Sequence, residues 1–310
     1  MPKAPQTLRY AGLAKKTVAA YRRALSAFFS YLEDEEIEMP SKFHHLDRLI
    51  AQYLESLYLD DTPISYAGHL LSAFRRFVPQ SRFKIPIAKQ WFSNWTSEHV
   101  PRQAIPMPAN VVLALAGAAL EVREHALAAL LLVGYKALLR TSEMTSLRFD
   151  HVSWKPGEPN VVIAIPFSKT SPKRPQSILI RDPWLPFLLS FAWERSESAF
   201  MWDGSTPAFR QALRLLLDTL NLASVGFTAY SIRRGGASHA FAQGVSFDSL
   251  VELGRWNSVK TARLYLDSGR AALIQMHFPP HVNMQLATFV AKATVFCKQL
   301  RQGRRLKMVL

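Results

Sequence analysis

The residues that could do chemistry lie in the second half of the chain. Arg140 and Glu143 close an apolar run, and Lys169 sits between two β-rich runs. Tyr230-Ser-Ile-Arg233-Arg234-Gly235-Gly236 follows, then Gly254-Arg255-Trp256, with Tyr265 nine residues after the tryptophan. Breaking a phosphodiester without a metal needs a nucleophile, cations to neutralise the pentavalent intermediate, and an acid for the leaving oxygen. Tyr265 has a hydroxyl that can attack. Arg140 and Arg233 carry planar, permanently charged guanidiniums suited to clamping non-bridging oxygens. Trp256 and Tyr230 can each donate a hydrogen bond to the same phosphate. Singly, these groups also have plain structural readings. Arg140 and Glu143 are spaced as a helical ion pair, and a lysine at a hairpin tip is ordinarily solvated. Two glycines after paired basics let the backbone approach something closely.

The elements that must position these groups follow from periodicity. Helices of about 109–121 and 124–138 lead to Arg140. The runs Leu147–Trp154, Val161–Phe167 and Gln176–Arg181, separated by turn residues, predict a three-stranded antiparallel sheet with Lys169 at a hairpin tip. Helices resume at about 185–195, 207–221, 231–243 and 246–253, and a final apolar-faced helix covers 283–300.

The first hundred residues read as short helices. Val18, Tyr21, Leu25, Phe28 and Leu32 fall on one helical face. Asp47–Tyr58 forms the next helix, with Ile50, Tyr53, Leu54 and Leu57 inward. Thr62-Pro63 is placed to start a third, and a fourth covers Ile87–Trp95. The acidic stretch Glu33–Glu38 reads as a solvated turn. The expected fold is mainly α with a small antiparallel β-sheet, in two domains. Residues 1–97 are expected to form a helical domain, 98–108 a proline-marked linker, 109–282 a mixed α/β domain that carries the candidate chemistry, and 283–310 a terminal helix and basic tail.

In this order and register, Arg140, Glu143, Lys169, Tyr230-x-x-Arg233, Trp256 and Tyr265 resemble the tyrosine recombinases, the phage-integrase-type family. The surrounding Ser-Ile-Arg-Arg-Gly-Gly-Ala-Ser-His and Leu-Gly-Arg-Trp-Asn-Ser strings fit as well, and the resemblance covers about 105–290. It implies that Tyr265 forms a 3′-phosphotyrosyl bond while Arg140 and Arg233 hold the phosphate and Lys169 protonates the leaving 5′-oxygen. Trp256 and Tyr230 would be donors, and Glu143 would orient its neighbours. It further implies a core-binding helical domain, strand exchange through a Holliday junction, and a homotetramer on double-stranded DNA with paired recognition sites. The chain departs from the family at two places. Tyr230 replaces the usual histidine, a change tolerable for binding and a brake on rate, because a tyrosine is a poor proton acceptor at neutral pH. Leu138 replaces a glycine two residues before Arg140, a change expected to concern packing.

Charge agrees with a polyanionic partner. The 310 residues hold 38 Lys+Arg against 23 Asp+Glu, a net charge of +15. Residues 1–32 carry Lys3, Arg9, Lys15, Lys16, Arg22 and Arg23 with no acid. Residues 68–92 carry Arg75, Arg76, Arg82, Lys84 and Lys89, again with none. Lys15, Lys16, Arg22, Arg23, Arg75, Arg76, Arg82, Lys84 and Arg234 are the candidate DNA contacts. With 49% hydrophobic residues the chain can bury real cores. A single cysteine, Cys297, excludes an internal disulfide and a Cys-based zinc site. The histidines show no ligand spacing, no Gly-rich phosphate loop is present, and no cofactor, metal or ATP is expected. Neither a signal peptide nor a membrane span is legible, so an intracellular protein is expected, in the nucleoid of a prokaryote or the nucleus of a eukaryote.

Three functions stay open at this level. The first is a recombinase or integrase, encoded by a mobile element in one version. The second is a recombinase-derived DNA-binding protein impaired in catalysis. The third is an activity like that of a type IB topoisomerase or telomere resolvase. The terminal helix can dock on a neighbouring subunit or pack at home. The Arg301, Arg304, Arg305, Lys307 tail suits a nuclear signal, a DNA contact or a solvated end.

Overall fold

The computed structural model describes residues 10, 12–99, 103–166 and 175–309. The chain divides into two compact units between Arg102 and Gln103.

The first unit is helical: α1 (Lys15–Asp34), α2 (Phe43–Leu59), α3 (Ser65–Phe77), the single turn α4 (Ser81–Lys84) and α5 (Pro86–Glu98). Its core comes from the faces expected, with Phe28, Ile50, Leu54 and Leu70 almost wholly buried. Two details differ from the sequence reading. Asp47 does not start a helix but lies inside α2, buried, where its carboxylate accepts the Ile87 and Ala88 N–H groups at 3.0 and 2.9 Å. It thereby caps α5 from a distance, meeting orphan amides at the positive end of that helix. Thr62-Pro63 does not start α3, which begins at Ser65. Thr62 closes α2 instead: Asp61 adopts φ 51° and the Thr62 N–H donates to the Leu57 carbonyl at 2.9 Å, a left-handed helix stop.

The second unit opens with the packed helices α6 (Ala109–Glu121) and α7 (His125–Lys136), followed by the single turn α8 (Thr141–Met144). Strands β1 (Val152–Trp154), β2 (Asn160–Ile165) and β3 (Gln176–Arg181) form one antiparallel sheet in that order, with Val152 opposite Ile163 and Val161 opposite Ile180. Val161, Ile163, Ile165, Ile178 and Ile180 point into the core and the alternate residues face outward. Then come α9 (Leu185–Glu194), α10 (Thr206–Thr219), α11 (Ala229–Ala242), α12 (Phe247–Gly254), α13 (Val259–Arg263), α14 (Ser268–Met276) and α15 (Pro280–Val309).

The first strand is shorter than the run Leu147–Trp154 predicts. Its leading residues pair elsewhere, Phe149 N–H with the Ala199 carbonyl and Met201 N–H with that of Leu147, each at 2.9 Å. The short helices α13 and α14 were not legible in the periodicity.

Residues 103–108, expected within the linker, are built into the second unit: Met107 is fully buried and its N–H donates to the Ser231 carbonyl at 3.0 Å. The final helix, read from 283 to 300, is longer and lies on its own unit against α6 and α9. Val282, Leu286, Ala293 and Cys297 are buried there, and Lys292 pairs with Glu121 at 2.9 Å. The Cys297 thiol is pushed up to about 11 by that burial. Among the described residues no helix is long and apolar enough to cross a membrane.

Candidate active site

The site gathers where the ends of α7, α11 and α12 meet the short α8 and the turn after α13. Helix α7 stops in a left-handed residue, Leu138 at φ 51°, with the Leu139 N–H closing onto the Gly134 carbonyl at 3.0 Å. Helix α12 stops the same way at Arg255, φ 55°, with the Trp256 N–H on the Val251 carbonyl at 3.1 Å. Left-handed backbone costs a non-glycine residue about 1–2 kcal/mol, so both turns are strained positions held by their surroundings. The Leu138 substitution therefore bears on backbone as well as packing. Its side chain is buried among Ala237, Leu250 and Trp256, and its carbonyl accepts from two arginines.

Those arginines are Arg233 and Arg255. Arg233 Nη1 donates to the Leu138 carbonyl and Nη2 to that of Gly254. Arg255 Nη2 reaches the Leu138 carbonyl at 3.2 Å, and its Nη1 reaches those of Leu253 at 3.0 Å and Ala137 at 3.2 Å. Arg140 stands at the start of α8, where Glu143 turns back on it. The carboxylate accepts the Arg140 backbone N–H at 2.8 Å and its Nη1 at 2.6 Å. The same carboxylate binds Arg255 Nη2 at 2.7 Å. One buried carboxylate thus serves two guanidiniums while a third, Arg233, lies alongside. Burial pushes the Glu143 carboxyl up, but the charge of Arg255 and the hydrogen bonds from Arg140 outweigh it and hold the pKa below the ordinary value. Burial lowers the Arg233 pKa, and the neighbouring Arg140 and Arg255 charges lower it further.

The aromatic side of the site is Tyr230, Trp256 and Tyr265. Tyr230, in the first turn of α11, donates its hydroxyl hydrogen bond to the Tyr265 hydroxyl. The two ring centroids are 5.5 Å apart, and the Trp256 ring is 4.7 Å from that of Tyr265. The Arg233 guanidinium carbon lies 5.0 Å from the Trp256 ring centroid and 5.3 Å from that of Tyr265, both rings covering a side chain only 1% exposed. The two tyrosines are pulled apart in acidity. Burial and the bond to Tyr265 raise Tyr230. For Tyr265, burial opposes ionisation, but the Tyr230 hydroxyl and the Arg233 and Arg140 charges together lower it. Tyr265 is the hydroxyl that ionises first. Arg233 Nε and Trp256 Nε1 are buried donors with no hydrogen-bond partner, each costing about 1–3 kcal/mol until an acceptor arrives.

The structure brings Arg140, Glu143, Tyr230, Arg233, Trp256 and Tyr265 together. Lys169 lies outside the described residues, as does the hairpin tip around it. Gly235 and Gly236 approach closely, as expected of them, but what they meet is the chain itself. A Cβ on Gly235 would come within 1.9 Å of the Met107 carbonyl oxygen, and one on Gly236 within 2.1 Å of that of Tyr135. Arg234 departs from its expected place among the DNA contacts. It is 3% exposed, donates to the Ala104 carbonyl at 2.7 Å and lies 4.0 Å from Asp267, so its charge is spent inside the fold.

Two residues of the site escaped the sequence reading. Arg255 lies in the Leu-Gly-Arg-Trp-Asn-Ser string, where its spacing alone points to no partner. Ser238 donates to the Tyr265 carbonyl at 3.0 Å and accepts the Asp267 N–H at 2.9 Å, fixing the turn that carries the tyrosine. Only its place in the Arg-Arg-Gly-Gly-Ala-Ser-His string marked it.

In the first unit Lys15, Lys16, Arg22, Arg23, Arg75, Arg76, Arg82 and Lys84 are all exposed. The first four lie on α1, the next two at the end of the adjoining α3, and the last two on α4. Among the described residues no group of three metal-ligating side chains is present.

No family model and no curated protein matches the sequence. Solved structures do match the fold. The Tn1549 transposon integrase in complex with transposon right-end DNA superposes with a TM-score of 0.60 at 10% identity, over 86% of this chain and 96% of that one. The XerH site-specific recombinase bound to palindromic difH substrate gives 0.59 at 12%, over 86% and 80%. A lambda integrase tetramer bound to a Holliday junction gives 0.57 at 15%, over 84% and 74%. The chain has the fold of the tyrosine recombinases, mostly helical with one small antiparallel sheet.

Proposed function

We propose that this chain is a site-specific DNA recombinase or integrase, carried by a mobile element, that cleaves and rejoins DNA through a phosphotyrosine. The observation that carries the reading is a cationic, donor-rich recess built around the Tyr265 hydroxyl. Arg140 and Arg255 share the Glu143 carboxylate while Arg233 lies alongside, and two buried donors beside Tyr265 await an acceptor. A phosphodiester supplies both the missing negative charge and the missing acceptors.

In the reaction the Tyr265 oxygen attacks phosphorus and its proton leaves to water. The bond from phosphorus to the 5′-oxygen breaks as the 3′-phosphotyrosyl bond forms, and the Lys169 ammonium protonates the departing oxygen. Rejoining reverses these steps with the 5′-hydroxyl of another strand, so bond energy is conserved and no ATP is consumed. Arg140 and Arg233 hold the non-bridging oxygens, and Trp256 and Tyr230 add donors. Glu143 and Arg255 are positioning residues: the first orients Arg140, the second ties α12 to α7. Tyr230 acts as a donor to the Tyr265 phenolate rather than as a base, which fits its raised pKa. Because the Tyr265 and Trp256 rings cover Arg233, the Tyr265 ring must swing off the guanidinium as phosphate enters. The exposed basic residues of α1, α3 and α4 grip the duplex, and the working assembly is a homotetramer on paired sites.

The second reading, a DNA-binding relic, rests on Tyr230 in the place of histidine. Nicked suicide duplexes drawn from DNA flanking the gene separate the two. A covalent adduct on a denaturing gel, formed in EDTA and lost in Tyr265→Phe, is the expected result. Salt-sensitive binding without adduct on a verified site would establish the relic instead.

A further inference from the structure

The first unit contains a recess unlike the rest of this basic chain. A cavity of about 270 Å3 lies between α2 and α5, lined by Leu54, Glu55, Tyr58, Trp91, Trp95 and Glu98, with Asn94 at its edge. The lining recurs at helical spacing: 54, 55 and 58 on one helix, 91, 95 and 98 on the other. Its walls are aromatic. Tyr58 and Trp95 stand nearly perpendicular, 81° apart with centroids at 5.6 Å, and Tyr58 and Trp91 keep 45% and 37% of their surface exposed. The Tyr58 hydroxyl donates to Glu98 at 2.8 Å and steadies that carboxylate in the recess. Among the described residues neither Glu55 nor Glu98 pairs with a lysine or arginine. The sequence excludes such partners from both flanks: no Lys or Arg occurs from Leu49 to Phe74 or from Gln90 to Pro101, in a chain that has 38 of them.

We propose that this recess binds a cationic side chain, an arginine above all, presented by a basic segment of a partner protein. The partly exposed Tyr58 and Trp91 rings offer aromatic surface for a cation–π contact. Two carboxylates at the rim match a guanidinium fork, which is weakly hydrated and stacks readily on tryptophan. A nucleic-acid phosphate would meet two like charges there, so the recess cannot extend the DNA-binding surface. Charge complementarity selects the occupant, and the inference holds whether or not Tyr265 is a nucleophile.

The test uses the full-length protein labelled with 5-fluorotryptophan, its Trp91 and Trp95 resonances assigned through Trp91→Phe and Trp95→Phe. The probe is the peptide acetyl-Gly-Arg-Gly-Arg-Gly-amide, with its citrulline counterpart as neutral control. Saturable shifts confined to Trp91 and Trp95 are expected with the arginine peptide. Affinity should be about tenfold weaker for citrulline, and weaker by a similar factor in Glu55→Gln/Glu98→Gln. These two substitutions are on exposed rim positions, and an unchanged melting temperature shows that the fold is kept. Equal shifts with citrulline, or none with either peptide, would overturn the proposal. So would self-association, measured by sedimentation without peptide, that disappears in the double variant, because the recess would then be a contact between copies.

Discussion

Replacing Glu143 with glutamine keeps the shape of the side chain and removes one negative charge from among three arginines. The carboxylate is 8% exposed at the side chain and holds Arg140 at 2.6 Å and Arg255 at 2.7 Å. Removing one partner of a buried ion pair costs about 3–5 kcal/mol, because the remaining charge is left uncompensated. For a unit of roughly 200 residues, 1 kcal/mol moves the melting temperature by about 2–4 °C. Glu143→Gln should therefore melt roughly 6–20 °C below the parent at neutral pH. Since the folded pKa of Glu143 lies below its ordinary value of 4.5, its contribution is complete above that pH. It is lost as pH falls from there through the lowered value. The gap between variant and parent should narrow correspondingly in acid. Sulfate supplies a second readout, as an anion that enters the recess offsets part of the lost charge. At ten times its dissociation constant it adds about 1.4 kcal/mol, and the variant should gain more than the parent. Differential scanning calorimetry from pH 7 down to 3.5, with and without sulfate, measures all three effects. A drop under 2 °C at neutral pH, or equal sulfate gains in both proteins, would refute the electrostatic account of the site.

Tyr230→Phe removes the hydroxyl that donates to Tyr265. A hydrogen bond to a charged group contributes about 1.5–3 kcal/mol, so cleavage of suicide duplexes at neutral pH should fall roughly 10- to 160-fold. The rate should recover at higher pH as the phenolate forms without help, and a pH-independent loss would remove Tyr230 from that role. Gly117→Ala tests the seat of α15: a Cβ there would lie 2.1 Å from the Phe289 carbonyl oxygen, so α6 and α15 must move apart. Overpacking of this kind costs about 1–3 kcal/mol, expected as a lower melting temperature and faster amide exchange over 282–297. Unchanged exchange there would show that the helix is not seated on α6.

Much of the site was written in the order of the residues. Arg140, Glu143, Tyr230, Arg233, Trp256 and Tyr265 were identifiable together because their order and register resemble the tyrosine recombinases, although each has a plain structural reading when taken singly. The longer helices of both units were legible from their apolar spacing, which is set by the face each must bury, while the short α13 and α14 were not. The sequence could also place the exposed basic residues of α1, α3 and α4, as no acid interrupts them. What it could not show is how charges separated by many residues divide their partners.

Arg233, Arg234 and Arg255 look alike in the chain, yet tertiary packing gives them different work. Arg234 is turned to Ala104 and Asp267, Arg255 is locked to Glu143, and Arg233 lies beneath two aromatic rings. Asp47 reads as a helix start and becomes the cap of another helix forty residues on. Leu138 reads as a packing change and proves to occupy left-handed backbone whose carbonyl two arginines share. Periodicity and residue chemistry are local and survive in one dimension. The choice of partner for a buried charge depends on which carbonyls and carboxylates the other elements bring within about 3 Å of it, and only the folded arrangement decides that.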